Sequence, residues 1–126
     1  MITVAFDIDG TLWKIEEKTW THKAIHKFGM PHNLRQVPDY DLIQVLKWHV
    51  SNGDKVYVWS AGGTDYAKTI LEKLGLDQLV EVIPKGQWHG RPSIDLCYDD
   101  EDVDLATINI QVKRTPLSNI THEDNH

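Results

Sequence analysis

Asp7 and Asp9 stand two residues apart behind an apolar run and ahead of Gly10 and Thr11. Ser60 ends the string VYVW, and a further acidic pair, Asp99–Asp100, follows the string DLCY. Carboxylates crowded into one crevice repel and raise each other's pKa unless a cation neutralises them. An all-oxygen donor set selects a hard ion. Mg²⁺ is the fitting choice, because it keeps several waters and accepts a phosphate oxygen. The chemistry indicated is metal-assisted and directed at a phosphate.

Such chemistry requires elements that bring these residues together. Met1–Ile8 alternates Ile2, Val4, Phe6 and Ile8 with Thr3 and Ala5. Both sets are mostly apolar, as in a central strand covered on both faces. The segment TWTHKAIHKFG sets Trp20, Ala24 and Phe28 at i, i+4 and i+8, with Ile25 alongside, which predicts a short amphipathic helix stopped by Gly29. Pro38–Asp39 opens a second helix with Leu42, Ile43, Leu46 and Val50 as its apolar face, broken by the run from Ser51 to Asp54. Lys55–Ser60 reads as a strand and Gly62–Gly63 as a turn. A helix capped by Thr64 or Asp65 then runs to Leu74, with Gly75 as its stop. Leu79–Ile83, Ile94–Tyr98 and Thr107–Val112 read as further strands. Strands alternating with helices predict an α/β layered domain with a mainly parallel sheet. Ligands in such sheets bind outside the carboxyl ends of the strands, where strand order switches. Asp7, Asp9, Ser60, Asp99 and Asp100 all fall at such ends.

In that setting Phe6-Asp7-Ile8-Asp9-Gly10-Thr11-Leu12 resembles the first motif of the haloacid-dehalogenase-like (HAD) hydrolases, hydrophobic residues followed by DxDGT. Ser60 is similar to their second motif and Asp99–Asp100 to their fourth. The agreement in order and spacing runs from about Ile2 to Val112. The resemblance implies a three-layer Rossmann-like domain with a five-stranded, mainly parallel sheet over residues 1–114, followed by a polar tail, 115–126. It further implies a phosphomonoesterase. Asp7 would be the nucleophile that forms an aspartyl-phosphate, and Asp9 the acid and base. Ser60, with Thr11 and the backbone of Ala61 and Gly62, would hold phosphoryl oxygens at a helix N-terminus. Mg²⁺ would take Asp7, the Asp9 backbone carbonyl and a carboxylate of the Asp99–Asp100 pair.

The third motif of the family is a cation that offsets phosphate charge, and two residues compete for it. Lys85, in VIPKG, follows a strand end, and Arg91 begins the string RPSID before the acidic pair. Lys85 is preferred, since a compact ammonium just past a strand end suits the role. Trp13 to Asp54 leaves no room for the family's cap domain beyond a turn and two helices, so an open site is expected. Members of this kind take bulky substrates or borrow a lid from another subunit. Nucleotides or phosphorylated nucleic-acid ends are the expected substrate class. A receiver-like phosphoacceptor without turnover is the competing reading, but there the phosphorylated Asp ends a middle strand and the acidic pair lies near the N-terminus.

Bulk composition sets the remaining limits. With 126 residues, one domain is expected; 40% hydrophobic and 25% charged residues are ordinary for a soluble domain. A formal charge of −6 argues against sequence-independent nucleic-acid binding by the whole surface. No stretch has the apolar length of a bilayer span. The opening MITVAFDIDG lacks a basic n-region, and the single Cys97 forms no internal disulfide, so a cytoplasmic setting is expected. From Lys18 to Pro38 there is no acidic residue, whereas Lys18, Lys23, Lys27 and Arg35 occur with His22, His26 and His32. Such a stretch is most often a solvated face, and beside an open site it attracts a polyanion. His22 and His26 have metal-ligand spacing but no third ligand in view, so no zinc site is expected. Asp104 is expected to hold the loop after the acidic pair. Trp13 and Trp88 are better placed than Trp48 to line a pocket, though packing accounts for each.

Overall fold

The computed structural model describes residues 1–15 and 36–112. The helix expected around Trp20–Phe28, the basic and histidine-rich stretch and the tail from 115 lie outside those residues.

Strand β1 (Thr3–Asp7) puts Val4 and Phe6 on one face and Ala5 on the other, all fully buried. It is followed by a tight turn and β2 (Trp13–Ile15), which pairs antiparallel with β3 (Gln36–Pro38), Trp13 opposite Pro38 and Ile15 opposite Gln36. This two-stranded ladder was not expected from the sequence. Each strand has three residues, too few to show a period of two, and the partner lies far along the chain. The indole N–H of Trp13 donates to Gln36 Oε1, and Asp39 N–H donates to Leu12 O at 2.9 Å, so the ladder is tied to the turn after β1.

Helix α1 (Tyr40–Ser51) starts as its sequence predicts: the Asp39 side chain accepts from Leu42 N–H at 3.1 Å. It buries Ile43 and Leu46, with Leu42 and Val50 half-buried beside them. It also buries His49, which hydrophobic periodicity does not reveal. Next come β4 (Lys55–Trp59) and α2 (Thr64–Leu74). The expected cap is corrected: Gly63, at φ +100°, is the N-cap and makes no side-chain cap bond, while Thr64 is already helical. Asp65 lies in the first turn, where its charge suits the helix dipole. Gly75 ends the helix in the left-handed region, φ +72°. β5 (Glu81–Val82), β6 (Leu96–Asp99) and β7 (Ile108–Gln111) complete the described elements, each within or close to its predicted span.

Five of these strands form one sheet in the order β5-β4-β1-β6-β7, every neighbouring pair parallel. The chain walks outward from β1 through β4 to β5, then returns to the other side of β1 for β6 and β7. Right-handed crossovers put both helices of the outward walk on one face. The packing agrees: Ile43 and Leu46 of α1 share a core with Ala67, Ile70 and Leu71 of α2, over Val4, Phe6, Val56 and Val58. The opposite face buries Ala5, Trp59, Ile94 and Cys97 beneath Ile83, Val103, Leu105 and Ala106. These covering residues belong to the connections 83–95 and 100–107, which contain no described helix. Among the described residues the domain is therefore a parallel sheet with one helical layer and irregular chain on its other face. No helix of the described residues is long and apolar enough to cross a membrane.

Candidate active site

Strand order reverses at β1, so the carboxyl ends of β1, β4 and β6 open onto one crevice. β1 ends on Asp7, which is 4% exposed. Beyond it the N–H groups of Thr11, Leu12 and Trp13 all donate to Ile8 O, at 3.1, 3.0 and 3.2 Å, and Gly10 N–H donates to Trp13 O at 2.8 Å. Gly10 takes φ +82° in this turn, and a Cβ there would lie 2.7 Å from Asp100 Cγ. Only glycine meets both conditions. The acidic pair after β6 thus packs directly on the turn after β1. Thr11 is fully buried, and its hydroxyl donates to Asp7 Oδ2 at 3.3 Å.

Lys85 follows β5 and reaches across the strand ends. Its Nζ lies 3.0 Å from Asp7 Oδ1 and 2.7 Å from Asp99 Oδ2. Asp99 is fully buried, and its Oδ1 accepts from Glu101 N–H at 3.0 Å. Carboxylate oxygens of Asp7, Asp99 and half-buried Asp100 lie within 4.8 Å of one another. Burial, the Asp99 charge and a hydrogen bond with Asp100 outweigh the attraction of Lys85 and push the Asp7 carboxyl up to about 7. Burial alone would pull the Lys85 ammonium down, but its bonds to Asp99 and Asp7 prevail and hold it above the usual lysine value.

Three carboxylates around one ammonium leave a negative formal sum. With oxygen donors only, this cluster could hold a metal ion, and its chemistry suits a hard divalent cation. Both members of the acidic pair belong to it. The Asp9 side chain does not: it is exposed, and its Oδ1 accepts from the Tyr66 hydroxyl at 2.6 Å.

Ser60 directly follows β4, and its Oγ accepts from Gly62 N–H at 3.0 Å, which leaves the hydroxyl hydrogen to donate elsewhere. Ala61 and Gly62 are exposed just before α2. Arg91 does not reach Asp7 in this arrangement. Its Nη1 donates to Gly86 O at 3.1 Å, and its guanidinium stands 5.7 Å from the centre of the Trp59 ring. Of the two third-motif candidates, Lys85 is the one that meets the carboxylates, while Arg91 braces the turn carrying it. Asp104 is exposed; the loop after the acidic pair is held by Asn109, whose Oδ1 accepts from Leu105 and Ala106 N–H at 2.9 and 3.0 Å. Trp88 donates to Pro84 O at 2.9 Å, a packing role within the loop.

Sequence reasoning missed Tyr66 and the orienting bond from Thr11. Thr11 carried a readable signal, since a hydroxyl four residues after an acid in a strand-end turn can fold back onto it. Tyr66 carried none: the turn of the backbone brings it to Asp9. A cleft of about 330 Å³ lined by Arg91, Ile94, Asp104 and Thr107, among others, lies by the residues that precede β6 and β7, away from the carboxylates. It is not where these groups could act. Compared with known proteins, the chain matches no protein-family model, no curated protein and no solved structure.

Proposed function

We propose that this chain is a Mg²⁺-dependent phosphomonoesterase resembling the haloacid-dehalogenase-like hydrolases, a small capless member with one face of its sheet covered by loops. The observation that carries the reading is Lys85 bridging Asp7 and Asp99 where strand order switches, with Asp100 completing an oxygen cluster. An isolated solvated acidic turn has no reason to bury its carboxylates around a lysine.

In this reading Asp7, oriented by Thr11 and Lys85, attacks phosphorus. A new Asp7–phosphorus bond forms as the bond to the leaving oxygen breaks, and Asp9 gives that oxygen a proton. Water then attacks the aspartyl-phosphate, Asp9 takes a proton from it, and phosphate leaves with Asp7 restored. Ser60 and the backbone N–H groups of Ala61 and Gly62 donate to phosphoryl oxygens near the start of α2. Asp7, Asp99 and Asp100 would hold the Mg²⁺, which supplies Lewis-acid stabilisation of the phosphoryl charge. Substrates with a large leaving group suit a site without a cap, and nucleotides or phosphorylated nucleic-acid ends are the class we favour. A second subunit could serve as a lid.

The test is phosphate release from a panel of phosphomonoesters, including nucleotides and 3′- and 5′-phosphorylated oligonucleotides, with Mg²⁺ and with chelator. Release that needs Mg²⁺ and disappears in Asp7→Asn is the expected result. No release from any ester rejects the reading. A lasting phosphoryl-Asp7 without turnover selects the receiver-like phosphoacceptor instead.

A further inference from the structure

Asp9 has a neighbour that neither the motif nor the spacing supplies. Tyr66, in the first turn of α2, donates its hydroxyl to Asp9 Oδ1 at 2.6 Å. The ring is held in place by the loop that precedes the helix. A Cβ on Gly62 would lie 3.0 Å from Tyr66 Cδ2 and 3.3 Å from Ser60 Oγ. The bare α-carbon of Gly62 therefore lets the ring settle against the segment carrying Ser60, with its hydroxyl over Asp9. One side chain thus connects the phosphate-holding loop to the acid.

We propose that Tyr66 is the positioning residue for Asp9, fixing which carboxylate oxygen handles the proton; this rests on the phosphomonoesterase reading. A phenol is protonated at neutral pH and can only donate to a carboxylate. With Oδ1 engaged as acceptor, Oδ2 is the oxygen left to exchange a proton with substrate or water. In the first step the Oδ2–H bond breaks as the leaving oxygen takes the proton and its bond to phosphorus is lost. In the second, the attacking water returns a proton to Oδ2. Tyr66 keeps its own proton throughout. It also limits rotation of an exposed side chain that would otherwise sample several orientations.

The experiment compares Tyr66→Phe with the wild type on an alkyl phosphate and on nitrophenyl phosphate, both with Mg²⁺, with melting temperatures as the control for folding. The alkyl leaving group needs protonation and the nitrophenolate does not. A selective loss of about tenfold in kcat/KM on the alkyl ester, with about twofold or less on nitrophenyl phosphate, is expected. In an Asp9→Asn background the same change should cost the alkyl ester nothing further. Equal losses on both esters, no loss on either, or a full additional loss in the Asp9→Asn background overturns the inference and leaves the phosphatase reading standing. A wild-type chain that releases phosphate neither from these two esters nor from any nucleotide or oligonucleotide of the panel overturns the phosphatase reading, and this inference falls with it.

Discussion

The Lys85 ammonium occupies the position where a divalent cation would meet its first competitor. It touches Asp7 and Asp99, two of the three carboxylates in the oxygen cluster. Removing it has two opposite effects. Lys85→Met leaves the cluster more negative, so Mg²⁺ should bind more tightly in a calorimetric titration. Turnover should nevertheless fall by about a hundredfold or more, because nothing then offsets phosphate charge at Asp7. Arg91→Ala should cost less than about tenfold, since Arg91 meets Gly86 O and the Trp59 ring and does not touch the carboxylates. Equal losses in the two variants would remove Lys85 from its special place. At this scale the sequence was informative about acids and poor about their partners. Asp7, Asp99 and Asp100 could be named from strand ends and Lys85 preferred over Arg91, but that its ammonium bridges Asp7 and Asp99 shows only once the strands lie side by side.

Among the elements, the turn after β1 and the end of α1 each carry a constraint that can be measured. In Gly10→Ala the backbone must leave φ +82° or bear the strain, and the new Cβ must push Asp100 aside. A stability loss of about 1–3 kcal/mol is expected. Mg²⁺ affinity should fall as well, because the displaced group is a cluster carboxylate; unchanged affinity would separate Gly10 from the site. At the other end of the strands, His49 Nδ1 lies 2.7 Å from Asp54 Oδ2, and His49 Nε2 lies 3.1 Å from the Tyr98 hydroxyl. Asp54 Oδ1 also accepts from Ile2 N–H at 3.0 Å. The bonds from His49 and Ile2 hold the Asp54 carboxyl below its ordinary value of 3.8. A depressed carboxyl stabilises the fold above its unfolded pKa and loses that contribution as pH falls through the folded one. Melting temperature should therefore drop below about pH 4 in the wild type and drop less steeply in Asp54→Asn. Identical acid slopes would exclude this bond as a source of acid sensitivity. The helices were legible because Asp39, Gly75 and the apolar spacing mark them in a single local window. β2, β3 and the His49–Asp54 contact were not, since each depends on residues brought together by the rest of the fold.

For the molecule as a whole, the parallel sheet and the location of the acids at its strand ends could be read from alternating elements alone. The irregular cover of the second face could not. The connections 83–95 and 100–107 contain apolar residues, but without helical periodicity, and only the closed sheet shows that Ile83, Val103 and Leu105 reach its surface. Strands β1, β4 and β6 are covered on both faces, by the two helices on one and by loops on the other, whereas the sheet ends beyond β6 in an edge strand whose Ile108 and Ile110 are 60% and 39% exposed.

That asymmetry divides the proposed metal site between two unequally protected parts of one sheet. Asp7 ends the central strand β1, whereas Asp99 and Asp100 stand at the end of β6, next to the exposed edge strand β7. Regions with fewer buried contacts open at lower free energy. In metal-free protein, amide deuterium uptake should therefore be faster along Leu96–Asp99 and Ile108–Gln111 than along Thr3–Asp7 and Lys55–Trp59. A cation gripping carboxylates from both parts would act as a rivet, slowing uptake in β6 and β7 far more than in β4. Uniform protection on adding Mg²⁺, or none, would mean that no ion joins the two. The same ion that serves a reaction would then also decide whether the outer half of the sheet stays shut.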